Sequence, residues 1–251
     1  MRTAVSLASL ATVAGAYTYT GRTTIQLLTT GKIKITNAGL TGGTATIDPP
    51  PNGVIYVKNG ATACPAYQPL NPYAGTAAAI NSENISSSCG DAWVSGTYSS
   101  DLTIAAANDV IVNGDVIRDS NSDARLGLIA DNFVRVYHPV VRTALNSQSC
   151  SEPASPITGR RIDAAILSLL HSFMVDNYYC GDSIGTLTIN GVIAQKFRGA
   201  VGTSGGTGFQ KNYTYDTRLS YKGPPHFLDP VLAAWKLRGF TEQQGANPPV
   251  S

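Results

Sequence analysis

Charge is scarce in this sequence. Asp, Glu, Lys and Arg make up only 14% of the 251 residues, against about 25% in an ordinary globular domain. The 18 basic and 16 acidic residues nearly cancel, leaving +2. Lys and Arg never form a run, Arg160-Arg161 being the nearest approach, so nucleic acid is not an expected partner. No stretch of 18 or more apolar residues occurs, which excludes a transmembrane helix within the sequence. Membrane attachment is therefore expected only through a segment that this sequence lacks. Also missing are a Cys-x-x-Cys pair, an H-E-x-x-H helix, an EF-hand loop and a G-x-S-x-G elbow. These absences argue against zinc, thioredoxin-like, metalloprotease and serine-hydrolase chemistry. No cofactor and no catalytic residue is expected, and His138, His171 and His226 read as structural or surface residues.

What is present is turn chemistry and apolar bulk. Gly is 25, Pro 14, and apolar residues reach 43%, enough for one large core. The texture, rich in Thr, Ser, Asn and Gly, implies β-structure with many corners. Lys32-Ile33-Lys34-Ile35-Thr36 alternates polar and apolar, as a half-buried strand does. "IVNGDVI" (111–117) resembles "TINGVI" (188–193), and "YVKNGA" (56–61) is a weaker copy. Asn-Gly between apolar runs signals either a two-residue hairpin or the sharp corner of a solenoid. Gly60, Gly114 and Gly191 lie 54 and 77 positions apart, close to two and three coils of about 26 residues. "RIDAAILSLLHSF" (161–173) fits helical and strand periods alike, and the strand reading is preferred because β-type runs follow directly.

The fold expected is all-β: a right-handed parallel β-helix of roughly eight to ten coils with a short carboxyl-terminal capping helix. An antiparallel β-sandwich is the alternative. Residues 1–16 read as a linker or residual amino-terminal segment, 17–240 as one solenoid domain, and 241–251 as a flexible tail. The first twenty residues resemble a weak signal peptide, but a piece of a longer precursor, with its export signal upstream, fits better. The proline-bearing polar loop 61–90 calls for a tether. Cys64, Cys89, Cys150 and Cys180 allow three pairings. Closing the shorter loops gives Cys64–Cys89 and Cys150–Cys180 and implies an oxidising, extracellular location; four separate buried thiols are the other reading. Within the cap, 224–240, Asp229 suits an N-cap and Pro230 the first helical turn. Phe227, Leu232 and Trp235 would cover the open end of the coil stack.

The pieces "NGVIYV" (52–57), "VSGTYSSDLTIAAANDVIVNGD" (94–115), "LGLIADNFVRVYHPV" (126–140), "IDAAILSLLHSFMVDNYYCG" (162–181), "GTLTINGVIAQKFRGAVGT" (185–203) and "KNYTYDTRLSYKGPPHFLDPV" (211–231) resemble an uncharacterised family of bacterial exported proteins, PilX-like or associated with pilus assembly. The resemblance covers roughly two thirds of the chain. It implies a β-helix at the cell surface and supplies no catalytic residues. The function expected is thus a structural module of a surface or pilus-like assembly. Its partners would be other envelope or pilus components or further copies of itself, the latter giving filaments. The alternative is a polysaccharide-binding or polysaccharide-cleaving β-helix. For that reading the candidate carboxylates are Asp131, Asp163, Asp176 and Asp182, the candidate cations Arg135, Arg160 and Arg161, and the candidate sugar-stacking rings Tyr137, Tyr178 and Tyr179. Asp115, Asp119 and Asp123 are weak candidates for a calcium loop, in a stretch that reads equally as a solvated turn.

Overall fold

A computed structural model describes residues 7–61, 64, 87–142 and 150–227. Apart from two short 3-10 turns, Leu7–Thr12 and Thr217–Ser220, the ordered elements are strands. The first five are β1 (Tyr17–Thr20), β2 (Thr23–Leu27), β3 (Ile33–Asn37), β4 (Thr44–Ile47) and β5 (Val54–Lys58). Next come β6 (Ala92–Tyr98), β7 (Leu102–Ala106), β8 (Val110–Arg118), β9 (Leu126–Ala130) and β10 (Val134–Val136). The last six are β11 (Val141–Arg142), β12 (Cys150–Ser151), β13 (Arg160–Ser168), β14 (Phe173–Val175), β15 (Ser183–Gln195) and β16 (Gly208–Tyr215).

Fourteen of these strands form one curled, mixed sheet. Its main path is parallel. β1, β5, β7, β9, β13 and β15 stack in that order, and β16 pairs β15. A second parallel ladder joins β2, β6, β8, β10 and β14. The antiparallel pairs are β2–β3, β3–β4 and, in a separate small sheet, β11–β12.

Register reveals the repeat. Thr103 sits opposite Gly127, Val110 opposite Val134, and Thr188 opposite Asn212. Each pair is 24 positions apart (127 − 103, 134 − 110, 212 − 188). Ala165 faces Val192, an offset of 27. The spacing of about 26 expected from the Asn-Gly recurrences falls between these values. Two of the three Asn-Gly pairs are not turns: Asn113-Gly114 lies within β8 and Asn190-Gly191 within β15, while Asn59-Gly60 follows the end of β5. The ladder from β1 to β15 holds six strands among the described residues, fewer than eight to ten coils would require. Partner offsets also vary: Val54 pairs with Thr103, 49 positions on, about twice the 24-residue offset between Thr103 and Gly127.

Alternation sorts the side chains. Ile55, Val57, Leu102, Ile104, Leu126, Leu128, Ile166, Val134, Val136, Phe173 and Val175 turn inward into one core. Residues 160–168 are strand: β-branched Ile162 and Ile166 pack inward on that period, and Arg161 and Asp163 pair two residues apart along one strand face.

The amino end is closed by a sheet device that the sequence reading does not include. β3 folds back on β2, and its Ile33 and Ile35 are fully buried in the core. The Asn37 amide ties the fold-back to the carbonyls of Thr20 and Arg22 and to the Thr23 hydroxyl. A second apolar cluster covers the outer flank, where Val54, Tyr56, Ala105, Ile129 and Leu167 pack beneath Leu7 and Leu10. Phe227 joins this flank, lying where a Cβ on Gly127 would strike its ring. It is therefore a side cover rather than a lid over the last coil. Asp229, Pro230, Leu232 and Trp235 lie outside the described residues.

Close ladder packing makes Gly96 indispensable. Its φ is +109°, a region that side chains avoid, and an added Cβ would run into the Leu27 carbonyl. Gly42 has φ +74° with nothing within 4 Å of the added atom. Gly96→Ala is expected to lower the melting temperature far more than Gly42→Ala, since of these two Gly96 alone adds a backbone clash to the left-handed strain. Equal melting temperatures for the two variants would contradict the close approach of β2 and β6.

Candidate functional site: a buried charge cluster

The densest group of ionisable side chains sits on the outer side of the β6–β8–β10–β14 ladder. Val134 and Val136 point into the core, so Arg135 between them must point out. It is nevertheless completely buried. Its Nε donates to Asp109 Oδ2 at 2.9 Å and its Nη1 to Asp176 Oδ2 at 3.1 Å. Asp109 and Asp91 occupy the positions just before β8 and β6, where the chain turns into each strand. Asp91 Oδ1 accepts from the Asp109 backbone N–H at 3.1 Å, and Asp109 Oδ1 accepts from Phe133 N–H at 3.0 Å. Each carboxylate thus fastens the entry of its own strand to that of the strand paired with it. An amide column runs beside them: Asn132 donates to Asn108 Oδ1 at 2.8 Å, and Asn108 donates to Asp91 Oδ1 at 2.6 Å.

The network extends past β14. His138, also fully buried, places Nδ1 3.1 Å from the Asp176 carbonyl and Nε2 3.1 Å from Glu152 Oε2. Asn177 adopts φ +48°, which Asn tolerates better than most residues, and its amide donates to the His138 carbonyl at 2.8 Å. Cys180, three residues on, is bonded to Cys150, and Cys64 to Cys89. Glu152 follows Cys150 by two residues, so that disulfide carries Glu152 to His138.

Three carboxyl groups, Asp91, Asp109 and Asp176, crowd one guanidinium. Burial pushes Asp109 up from 3.8 to about 6; Arg135 opposes the rise and the neighbouring Asp91 adds to it. Burial also raises Asp91, against the pull of Arg135, Asn108 and Arg22. The folded protein therefore holds a proton on Asp109 more tightly than the unfolded chain does. The stability from this proton is fully present below about pH 4 and is lost as pH rises through about 6, on the order of 2–3 kcal/mol. Denaturant unfolding of the parent and of Asp109→Asn across this range should give a difference curve with its inflection near pH 6. A flat difference would refute the assignment.

A carboxyl that titrates near 6 beside a second carboxyl is the pairing that proton-transfer chemistry uses. Here Arg135, Asp109 and Asp176 are 0% exposed, and they face one another. Of the candidate charged residues singled out in the sequence, Arg135 and Asp176 are the two that meet in this cluster, with His138 against the Asp176 carbonyl; the others pair elsewhere or stand apart. Asp163 pairs with Arg161 at 3.0 Å and accepts from Arg118 N–H. Asp131 is half-buried, and burial raises it. Asp182 is exposed. Arg160 pairs with Asp115 at 3.5 Å. Asp119 accepts from its own turn at Asn121, and Asp123 is exposed. Asp115, Asp119 and Asp123 do not converge, and among the described residues no group of three His, Cys, Asp or Glu side chains could hold a metal. The tyrosines form two separate pairs: Tyr137 with Trp93 at 5.4 Å, and Tyr178 edge-on to Tyr179 at 5.6 Å. Asp91, Asp109 and Glu152 escaped sequence reasoning. The one available signal was an Asn just before each strand, Asn108 ahead of β8 and Asn132 ahead of β10, at the 24-residue offset of that pair.

These features define an all-β protein with a curled, mostly parallel sheet, two disulfides and a sealed charge cluster on one sheet face. No protein-family model, curated protein or solved structure matches the chain.

Proposed function

We propose that the chain is a non-enzymatic structural module of an exported surface or pilus-like assembly, wound as a right-handed parallel β-helix and akin to the PilX-like family. One observation carries this reading: the ionisable groups that converge most closely are completely buried and bound to one another. A group that bonds the N–H of the next coil and the guanidinium beside it fastens coils together. The winding is supported by 24-residue offsets between consecutive parallel partners, and right-handedness by the strong bias of parallel crossovers. Two disulfides fit an oxidising compartment. No helix among the described residues is long and apolar enough to cross a membrane. Partners are other components of the assembly.

A second reading, polysaccharide binding, draws on the Trp93–Tyr137 pair beside the cluster, since aromatic faces suit sugar rings. A glycan-array screen combined with a reducing-sugar assay separates the two. The assembly reading expects neither a strong glycan signal nor turnover. Release of reducing ends, abolished by Asp109→Asn in a folded variant, would overturn it.

A further inference from the structure

The two ends of the sheet differ. At the amino end β1 pairs only β5, and the antiparallel β3 and β4 extend the sheet; at the other end β16 pairs only β15 among the described residues. Lys211 sits opposite Leu187, Tyr213 opposite Ile189, and Tyr215 opposite Gly191. Leu187 and Ile189 face the core, so Lys211, Tyr213 and Tyr215 continue the inward-facing side one coil further, across the end of the stack. There they stay exposed, Tyr213 at 42% and Tyr215 at 52%.

Positive charge gathers at the same end. Residues 190–215 contain Lys196, Arg198 and Lys211 and no acidic residue, +3 in a chain whose total is +2, whereas 217–227 run back along the flank, where Arg218 reaches the Ala124 carbonyl and Phe227 lies against Gly127. Arg218 is matched by Asp216 and Lys222 by Asp101. Lys196, Arg198 and Lys211 have no acidic partner among the described residues. Lys196 lies 5.4 Å from the centre of the Phe197 ring, which is 56% exposed, and the charge of Arg198 acts on Tyr213.

We infer that this end is a docking edge for an extended acidic segment of a partner protein. The segment adds a strand to β16, rests its apolar side chains on Tyr213 and Tyr215, and sets carboxylates against Arg198, Lys211 and Lys196. An unpaired strand edge supplies backbone hydrogen bonds, and the side chains beside it select the sequence. This rests on the assembly reading and names the partner's chemistry. An anionic polysaccharide would satisfy the cations and rings but leave the strand edge unused.

The test is calorimetric titration of the intact, oxidised protein at low salt. Four probes are used: a short peptide alternating glutamate and valine, the same peptide N-methylated at alternate residues, a peptide alternating lysine and valine, and polygalacturonate. The glutamate–valine peptide should bind. N-methylation should abolish binding, because methylated amides cannot pair with an edge. Arg198→Glu with Lys211→Glu should weaken binding about tenfold or more while leaving the melting temperature unchanged. A lysine–valine peptide binding as tightly as the acidic one, equal binding of the N-methylated peptide, tighter binding of polygalacturonate, or no peptide binding would each overturn the docking edge. These outcomes leave the assembly reading standing, since that falls only on glycan turnover.

Discussion

Arg135→Met is expected to cost about 3–5 kcal/mol at pH 8, measured by urea unfolding, because it strands buried carboxylates with no neutralising charge. Methionine preserves most of the volume, so little of the loss is cavity. The penalty should shrink at pH 5, where Asp109, which titrates near 6 in the parent, is protonated and neutral. That pH dependence separates a stranded charge from lost packing, which acid does not repair. A loss of equal size at both pH values would mean that Arg135 acts through its bulk and not its charge.

The second large effect is at the Cys150–Cys180 disulfide. Its partners are 30 positions apart, a loop for which the chain-entropy relation gives about 3–4 kcal/mol. Cys180 is buried at 1% exposure, just after the Asp176–Asn177 segment that meets His138. Cys150 lies in β12, whose pairing with β11 precedes Glu152. Opening the bridge therefore loosens the Glu152–His138 contact as well. Cys150→Ser with Cys180→Ser should lower the melting temperature and make the His138 region exchange its amide protons faster than β7 or β9 does. Uniform loss across the ladders, with no local excess at His138, would contradict this arrangement.

Much of the fold is legible in the residues. Alternation in Lys32–Thr36 announces β3, whereas two of the three Asn-Gly pairs read as corners lie inside β8 and β15, so their recurrence does not mark the turns. The tethered loops follow from placing Cys64 with Cys89 and Cys150 with Cys180. Three features are not legible, each for a physical reason. β3 and β4 close the amino end with an ordinary alternating pattern, which does not say whether a strand stacks in parallel or folds back. Phe227 covers a flank because Gly127 leaves room for a ring there, a long-range fit with no local signature. Asp91 and Asp109 look like turn formers, which they are. Their second role, neutralising Arg135 from a neighbouring strand, depends on a 26-position separation between Asp109 and Arg135 that no local motif encodes.

The sealed cluster is the claim on which the functional reading turns. Carbon-13 labelling of aspartate carboxyls lets Asp91, Asp109 and Asp176 be followed by magnetic resonance across pH 4–8, with and without saturating mixed oligosaccharides. Unmoved carboxyl signals, with Asp109 titrating near 6 in the presence and absence of sugar, are the predicted result. Sugar-dependent shifts at Asp109 or Asp176, accompanied by new reducing ends in the same tube, would show that the cluster opens to substrate and would contradict the account.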